Sequence, residues 1–546
     1  MFSLLPTLPS QRALFDILTY YVLFRVLKWS LKPWSSPSPL RNLGQLFNAK
    51  GLPFHLGLGE LYGGMAKVHG FFGDEQLYIS DPKALQEILI KNPDAWEETE
   101  VFIETNRIIF GPGLVSTTGD VHKRQRKMVN PVFSPTNLRN LVPTFYGVAE
   151  RLMDVLTREI RSRAGVDGFS VLDMSEWMSR AALETVGQTV LGYSFDPLDS
   201  PVNNAYTSAI RELMCSHTLS LSLVRQFAPF LVRLGPAWMR RRFVDWTPNW
   251  AVQKVKDMSD VMHNTAVNIL ADARVNMRQQ SKKTLISLLL VDFIGPIVSA
   301  NDTAGRNERL SEAELAGQLT VMIFGAQDTS SSALSRLIYQ LSVRPDIQDN
   351  IRKEIRAAGA PERHLTIEEI FALPWLDAVL KETLRLYPPV PFVRRTALQE
   401  CTVPFGHDSS VTIPQGTIIF LGIAGANRLP SVWGPHAKEW KPERWLVGDV
   451  HHKVDSSVHL PGIYAEMMSF LGGKRSCIGY RFAQIEIKIL LISLISRFEI
   501  LPTEDDVVWN LSQIISASVR IMKEGVEAEE KGLPLRVKNP NSRAAG

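Results

Sequence analysis

The chain has 546 residues, and its 60 basic and 56 acidic side chains give a formal net charge of only +4. Hydrophobic residues make up 45% and charged residues 21%, an ordinary globular balance with ample material for a core. So small a charge gives no argument for binding nucleic acid.

The three cysteines are Cys215, Cys401 and Cys477. An odd number at wide spacing is a poor disulfide framework, and no CxxC zinc pattern is present. We therefore expect the chain to fold where thiols stay reduced, such as the cytosolic side of a membrane. A cysteine in a distinctive local setting then becomes a candidate ligand or nucleophile.

The N-terminal segment carries a short apolar run at residues 17–24, bounded by charged residues. A clean membrane span needs roughly 20 apolar residues, so a secretory signal and a buried core helix are alternatives. The positive residues after the run favour an anchor helix in 1–32 that keeps the body on the cytosolic side. Prolines and serines then predict a stiff linker over 33–45, followed by one large domain over 46–546.

Two basic segments stand out in the first half of the chain. Residues 119–127 read GDVHKRQRK, which by itself is typical of a solvated helix face. Residues 227–246 mix aromatic side chains with four arginines. That mixture suits a second contact at a membrane interface, and it equally suits a basic helical face.

Two capping boxes mark the starts of helices further along the chain. Ser311 with Glu314 opens an apolar stretch that runs to about Leu341. A helix of about 30 residues is roughly 45 Å long, enough to cross a whole domain. Thr366 with Glu369 predicts a second helix start.

The middle of the long helix reads GAQDTS over residues 325–330. Gly325, Asp328 and Thr329 fall at i, i+3 and i+4, on one helix face. A glycine there opens room for a ligand against the backbone, at a cost of about 1 kcal/mol relative to alanine. A hydroxyl next to a carboxylate can relay protons, whereas the ordinary alternative is a threonine bonded back to the preceding turn.

Short strands are predicted between residues 400 and 420, where valine, isoleucine and threonine become frequent and Pro–Gly turns appear. An apolar helix follows from Ile478 to about Phe498. The predicted fold class is therefore mainly α with a small, late β portion, in a single large domain.

Cys477 lies within FLGGKRSCIG, residues 470–479, directly before that last helix. Unpaired backbone N–H groups and the positive end of the helix dipole favour a thiolate there. Glycines such as Gly479 allow a flat cofactor to approach the backbone. Phe470 can shield the sulfur, and Arg475 can pair with a carboxylate.

The spacing F-x-x-G-x-R-x-C-x-G resembles the haem-binding loop of the cytochrome P450 family. The resemblance extends over about residues 80–500 through further motifs in the expected order. GAQDTS is similar to the family's oxygen-activation segment, and an ExxR motif precedes a PERW segment that departs from the usual PERF at Trp445, an aromatic swap that we expect to be harmless.

The resemblance implies a P450-like fold with haem b, whose iron is bound by Cys477, and a relay formed by Asp328 and Thr329. It also implies a buried structural network of Glu382, Arg385 and Arg444. The implied haem contacts, several of them to the propionates, are His122, Arg126, Arg395, Phe470, Arg475 and Gly479. Arg394 competes with Arg395 for one such contact.

The resemblance further implies a monooxygenase that uses O2 and electrons from NADPH through a separate reductase at the endoplasmic reticulum membrane. A basic surface could dock that reductase, and its candidate residues are Lys123, Arg124, Lys127 and Lys474. Candidate pocket walls are mostly apolar, which favours a terpenoid, sterol or fatty-acyl substrate. By analogy they are the segments 101–116, 390–393 and 514–518, and the helix around Phe324.

Three alternatives remain at this point. A haem-thiolate isomerase or dehydratase would need no reductase. A non-catalytic haem-binding protein would consume no oxygen. A membrane-tethered cysteine hydrolase would need a histidine base beside Cys477.

Overall fold

The computed structural model describes residues 44–70, 73–195, 198–199, 225–280, 294–303, 305–306, 308–446, 458–511, 514–523 and 525–540. The predicted anchor, nearly all of the predicted linker and Cys215 lie outside this part of the chain. Among the residues just given, no helix combines the length and the apolar character that a bilayer span requires.

Helices form most of the described chain. In chain order they are α1 (Leu52–Leu61), α2 (Pro82–Gln86), α3 (Glu100–Phe110), α4 (Gly119–Val129), α5 (Pro135–Arg163), α6 (Met174–Val186), α7 (Ala228–Leu231), α8 (Ala237–Trp246), α9 (Trp250–Gln280), α10 (Ile294–Thr303), α11 (Glu312–Val343), α12 (Pro345–Ala357), α13 (Ile367–Phe371), α14 (Pro374–Leu386), α15 (Ile423–Ala426), α16 (Pro430–Trp433) and α17 (Tyr480–Arg497).

The strands are short and belong to small sheets. They are β1 (Met65–His69), β2 (Glu75–Ile79), β3 (Trp96–Glu97), β4 (Ser170–Asp173), β5 (Val393–Ala397), β6 (Cys401–Phe405), β7 (Ser409–Ile413), β8 (Ile418–Leu421), β9 (Glu499–Pro502), β10 (Val507–Leu511), β11 (Ile515–Lys523), β12 (Val526–Lys531) and β13 (Pro534–Lys538).

The largest sheet has the order β1-β2-β8-β5-β3, and it is antiparallel except for the parallel pair β2–β8. Two three-stranded sheets, β10-β11-β12 and β4-β13-β9, and the hairpin β6-β7 complete the β portion. The mainly α fold is confirmed. The strands are not all late, however, because β1 to β4 precede residue 174, and β2, β3 and β4 each pair with a strand hundreds of residues further along the chain.

The long helix is confirmed as α11, whose 32 residues span about 48 Å. Its predicted capping box is present: the Ser311 hydroxyl accepts from the Glu314 backbone, and the Glu314 carboxylate accepts from the Ser311 backbone. Thr366 and Glu369 cap α13 in the same way. Helix α11 packs against α6, α9, α14 and α17, so it crosses the core of the molecule.

Helix α17 fixes the position of the cysteine segment. It begins at Tyr480, two residues later than predicted, and is buried along most of its length. Its Phe482 ring packs on Phe145 of α5, with 5.0 Å between ring centroids. The segment before α17 is therefore held against the core by a helix that cannot easily move.

Candidate functional site

The cysteine segment forms a closed loop. The backbone N–H of Cys477 donates to the carbonyl oxygen of Phe470 at 2.9 Å. Gly473 has a φ of +70°, and a Cβ at this position would lie 2.2 Å from the carbonyl oxygen of Leu89. Only glycine fits there, because any side chain would force the loop away from the neighbouring backbone.

The Cys477 side chain faces an internal space. Its surface is exposed, yet burial raises the pKa of its thiol above the usual value. A group that is both accessible and surrounded by protein borders an enclosed volume. The predicted backbone hydrogen bond, at Gly479, acts to lower this pKa, and so does the charge of Arg126, which was not predicted to act on the thiol; burial outweighs both.

Gly325 borders open space from the middle of α11. It is exposed although the helix around it is largely buried, and a Cβ built there would meet no atom within 4 Å. The neighbouring Phe324 packs on Phe110, with 4.6 Å between ring centroids. Room beside a helix backbone is what a flat cofactor needs.

Two arginines near the loop are paired with glutamates that the sequence analysis missed. Arg475 donates to Glu97 at 2.8 Å and to the carbonyl oxygen of Thr117 at 2.8 Å. Arg395 forms an ion pair with Glu98 at 2.8 Å, while its buried Nη2 has no partner in the described part of the chain. No local pattern could have revealed these pairs, since Glu97 and Arg475 are 378 residues apart.

Helix α4 contributes the two other predicted cofactor contacts. His122 is buried, and burial together with the charges of Arg475 and Arg126 lowers its pKa to about 4. Arg126 donates to the Ser476 hydroxyl at 3.3 Å. The structure therefore places His122, Arg126, Arg395 and Arg475 around one loop.

Arg394 lies elsewhere. Its guanidinium is within 6 Å of the Phe47 and Phe420 ring centroids, in a separate small apolar cluster. The residues near the loop fit a haem: a sulfur facing an internal space, an uncrowded helix backbone, and a buried guanidinium nitrogen of Arg395 that lacks a partner.

The predicted relay residues have different surroundings. The Thr329 hydroxyl donates to the carbonyl oxygen of Gly325 at 2.6 Å, which is the ordinary alternative for a helix threonine. Asp328 lies beside a cleft, and its buried Oδ2 has no partner among the described residues. Burial raises the pKa of Asp328 to about 7.

A second buried carboxyl group, Glu486 of α17, lies on the other side of α11. It is fully buried near Ser330, and burial raises its pKa to about 8. Glu486 could not be predicted as a site residue, because an acidic residue within an apolar helix gives no sign of whether it is buried or exposed.

Glu382 is the centre of a buried ionic network. It accepts from Nε and Nη2 of Arg385 at 2.9 and 2.8 Å and from Nε of Arg444 at 3.0 Å. The indole N–H of Trp445 donates to it at 2.9 Å. Although burial alone would raise it, these cations hold the pKa of Glu382 below its usual value.

Asn427 connects this network to the cysteine loop. Arg385 donates to the carbonyl oxygen of Asn427 at 2.9 Å. The Asn427 side chain in turn accepts from the backbone of Met468 at 2.7 Å and donates to Ser469 at 2.9 Å. Both residues directly precede Phe470. The predicted network therefore supports the loop, through a residue that no motif indicated.

The predicted pocket walls come together along α11. Segment 101–116 reaches it through Phe110, and the Ser332 hydroxyl donates to the carbonyl oxygen of Ile515 at 2.6 Å. The backbone N–H of Ile515 donates to Pro389, next to segment 390–393, at 2.9 Å. Part of 514–518, however, lines the cleft beside Asp328.

Comparisons with known proteins agree with this geometry. A family model described as cytochrome P450 matches residues 35–522. The chain is 37% identical to cytochrome P450 monooxygenase 81 of Postia placenta, over 94% of this chain and 95% of that one. It is 34% identical to a ganoderic acid synthetase of Ganoderma lucidum, over 88% of this chain and 89% of that one.

Among solved structures, the fold is similar to the heme domain of a cytochrome P450DA mutant. The TM-score is 0.70 at 19% identity, covering 93% of this chain and 97% of the other. A crystal structure of another cytochrome P450 gives a TM-score of 0.68 at 20% identity, with 91% and 96% covered.

Trp445 gives a test of the buried network. From its sequence, tryptophan here is expected to be a harmless replacement for phenylalanine; in the structure its indole N–H also donates to Glu382. Trp445→Phe should lower the free energy of unfolding by about 2 kcal/mol, the contribution of a hydrogen bond to a charged group. Denaturant unfolding followed by circular dichroism measures this change.

Trp433→Phe is the matched control. Trp433 packs on Trp445 and is buried, but its indole nitrogen has no hydrogen-bond partner within the described residues. Both substitutions remove the same ring volume, so the difference between them isolates the hydrogen bond. Equal destabilisation of the two variants would show that the bond contributes nothing.

Proposed function

The chain belongs to the cytochrome P450 family, and from this premise we propose that it oxidises a lipophilic small molecule with dioxygen and electrons from an NADPH-dependent reductase. Members of the family are haem-containing monooxygenases, and the enzyme is accordingly an oxidoreductase. The observation that carries the proposal is Cys477, a cysteine in a rigid loop whose sulfur faces an internal space.

Haem would be held by residues around this loop. Cys477 would bind the iron, and Phe470 and Gly479 would lie beside the ligand. Arg126, Arg395 and Arg475 would neutralise the propionates, whereas His122, neutral at pH 7, would contribute only a hydrogen bond. When bound, haem with a thiolate ligand supplies the activation of dioxygen.

Replacing the ligand tests the proposal. Cys477→Ser should abolish the absorbance shift that carbon monoxide produces in the reduced protein, because that shift reports a thiolate on the iron. Cys401→Ser is the control, since this buried cysteine belongs to β6 in the hairpin β6-β7. An unaltered spectrum in Cys477→Ser would overturn the proposal.

Asp328 and Thr329 would deliver protons on the oxygen side. Asp328, with its pKa near 7, can exchange protons at neutral pH. Thr329 lies in the same helical turn as Gly325, where α11 borders open space. The isomerase and the non-catalytic haem-protein alternatives need no such relay, and neither would reduce dioxygen. Membership of the cytochrome P450 family argues against the third alternative, a membrane-tethered cysteine hydrolase.

The relay predicts an effect on coupling. Thr329→Ala removes the hydroxyl and should raise hydrogen peroxide release per dioxygen consumed at least about fivefold, since a positioned proton donor contributes 10²-fold or more. Thr329→Ser retains the hydroxyl and should stay near the wild-type ratio. If the alanine variant were as well coupled as the serine variant, Thr329 would have no part in the relay.

A terpenoid substrate is favoured. The relative from Ganoderma lucidum is named for ganoderic acid, a name that suggests terpenoid oxidation. The apolar wall formed by Phe110 and Phe324 suits such a molecule, and it equally suits a sterol or fatty-acyl chain. Co-expression with a reductase, followed by metabolite profiling, identifies the substrate and the position oxidised.

Membrane attachment at the endoplasmic reticulum, with the catalytic domain on the cytosolic side, is also part of the proposal. Helix α8 supports it, because no described side chain of this helix is buried and Trp238 and Trp246 are 71% and 72% exposed. Exposed tryptophans beside arginines 240–242 suit the boundary between lipid and water. The predicted anchor in 1–32 would provide the second attachment.

Ion pairs within the chain bear on which basic residues could dock a reductase. Of the four predicted basic residues, Arg124 pairs with Glu314 and Lys127 with Glu308, which reduces their attraction for an acidic partner. The Lys474 ammonium nitrogen is 3.5 Å from a carboxylate oxygen of Asp94, whose side chain is almost fully exposed, so this ion pair is weak. The docking proposal therefore rests mainly on Lys123 and Lys474.

Charge reversal at these two positions tests the docking surface. Lys123→Glu with Lys474→Glu should reduce reductase-supported turnover about tenfold at low salt, since complementary charge mainly raises association rates. Peroxide-supported turnover needs no reductase and should be unaffected. Lys67→Glu, which changes an exposed side chain of strand β1, is the control. Equal loss in both assays would refute docking at this surface.

A further inference from the structure

Two arginines lie close together without an acidic partner. They are Arg394 of β5 and Arg225, which lies shortly before α7. In the described part of the chain, neither guanidinium forms an ion pair or a hydrogen bond. The charge of Arg394 lowers the pKa of Arg225, which places the two groups within electrostatic reach of each other. Such a pair carries two like charges and ten N–H donors, at about five for each guanidinium.

Both side chains border an enclosed space. Each is only partly buried and so keeps accessible surface. Burial is nevertheless the main cause that lowers the pKa of Arg225 and of Arg394 to about 10. A group that is accessible yet surrounded by protein faces an internal volume, as the Cys477 sulfur also does. Both guanidinium groups remain charged at pH 7.

The sheet determines the direction of Arg394. Residues opposite each other on paired strands lie on one sheet face, and consecutive residues of a strand lie on opposite faces. Arg394 is opposite Phe420 of β8, and Phe420 is opposite Tyr78 of β2. Arg395, which pairs with Glu98, therefore points to the other face. The sheet separates Arg394 from the predicted propionate contact.

Aromatic rings line the face on which Arg394 lies. Its guanidinium carbon is 5.7 Å from the ring centroid of Phe47 and 5.9 Å from that of Phe420. Phe392, in the predicted pocket wall 390–393, packs on Phe420 with 5.3 Å between ring centroids. Aromatic faces offset part of the cost of burying a cation, but they do not reduce its repulsion from Arg225.

The neighbouring carboxylates are already paired. Glu98 acts to raise the pKa of Arg394, but its carboxylate is 2.8 Å from Arg395. Glu97 is likewise 2.8 Å from Arg475. Within the described residues, no other acidic side chain changes the pKa of Arg225 or Arg394. The pair therefore has an excess of positive charge, and uncompensated charge in an enclosed space is costly.

From this arrangement we infer that Arg225 and Arg394 bind the carboxylate of an otherwise apolar organic acid, whose body lies along Phe392 and Phe47. A planar guanidinium donates two parallel hydrogen bonds to a carboxylate, which has about four acceptor positions for the two arginines. A carboxylate carries one charge, so it costs less to bring into an aromatic surround than a phosphate dianion. That this acid is also the substrate rests on the proposed monooxygenase function.

Matched ligands test the site in the wild-type holoenzyme. Abietic acid and abietinol share a terpenoid skeleton, and dodecanoic acid and 1-dodecanol share an alkyl chain. Within each pair only the carboxylate is exchanged for a hydroxymethyl group. At pH 7 at least one acid should bind about tenfold or more tightly than its alcohol, the effect of one hydrogen bond to a charged group. Isothermal titration calorimetry measures both affinities without turnover, and equal affinities in both pairs would overturn the proposal.

Single substitutions assign the preference to the two arginines. Arg394→Gln and Arg225→Gln should each weaken binding of the preferred acid at least about tenfold and change binding of its alcohol less than about twofold. Arg394→Lys keeps the charge and should lose less. Arg356→Gln, at an exposed position of α12, is the matched control. Unchanged acid affinity in both glutamine variants would contradict the inference, and either variant suffices if the other fails to fold.

Haem content separates this site from a propionate contact. Because Arg394 and Arg395 lie on opposite sheet faces, Arg394→Gln and Arg225→Gln should keep the wild-type ratio of haem to protein, measured by pyridine haemochrome absorbance. Haem loss in both variants together with the loss of acid affinity would assign the arginines to the propionates instead.

A bilayer lipid with an anionic headgroup presents the same chemistry. Flotation with vesicles of phosphatidylcholine and phosphatidylserine should recover the wild type equally well as a variant that combines Arg225→Gln with Arg394→Gln. If that variant lost vesicle binding while wild-type protein bound acids and alcohols alike, the arginines would be a lipid contact and the acid site would be refuted.

The two proposals fail in distinguishable ways. A protein that prefers the acid through both arginines but lacks the carbon monoxide shift would refute the proposed function and leave the acid site in place. A protein with that shift whose wild type shows no preference between acid and alcohol would refute the acid site alone.

Discussion

The structure depends on one buried carboxylate. Glu382 is completely enclosed, and a lone charge there would cost several kcal/mol. Two guanidinium groups and two further N–H donors satisfy its oxygens, while the surplus positive charge is spread over backbone carbonyl groups such as those of Asn427 and Ala437. Such a network is satisfied in one arrangement only. It therefore fixes α14 relative to the chain that leads into the cysteine loop.

The parts of this arrangement that sequence predicted are those with a local signature. The capping boxes at Ser311 and Thr366 place two helix starts, and the spacing around Cys477 identifies the loop. Glu97, Glu98 and Asn427 have no such signature, because their partners are brought to them by strand pairing and helix packing. Even Trp445, recognised as an unusual residue, was assigned no contact, since its hydrogen bond depends on where Glu382 lies.

Helical spacing alone does not determine the surroundings of the pair at the centre of α11. Adjacent residues on a helix project about 100° apart, so Asp328 and Thr329 cannot point in the same direction. Thr329 satisfies its hydroxyl within the helix, and Asp328 turns toward the cleft. Gly325 could be interpreted correctly from sequence because its effect is local: it leaves space beside the backbone whichever neighbours surround it.

Helix α11 thus separates two environments with opposite requirements. The face at Gly325 borders the space for a planar cofactor and an apolar wall, where the exclusion of water strengthens every electrostatic interaction. The face from Asp328 to Ser335 borders a cleft lined largely by polar side chains. Because the apolar wall and the polar cleft lie on different helix faces, a substitution in one can leave the other unchanged. The polar cleft therefore gives no information about the substrate, for which the apolar wall beside Gly325 is the proposed contact surface.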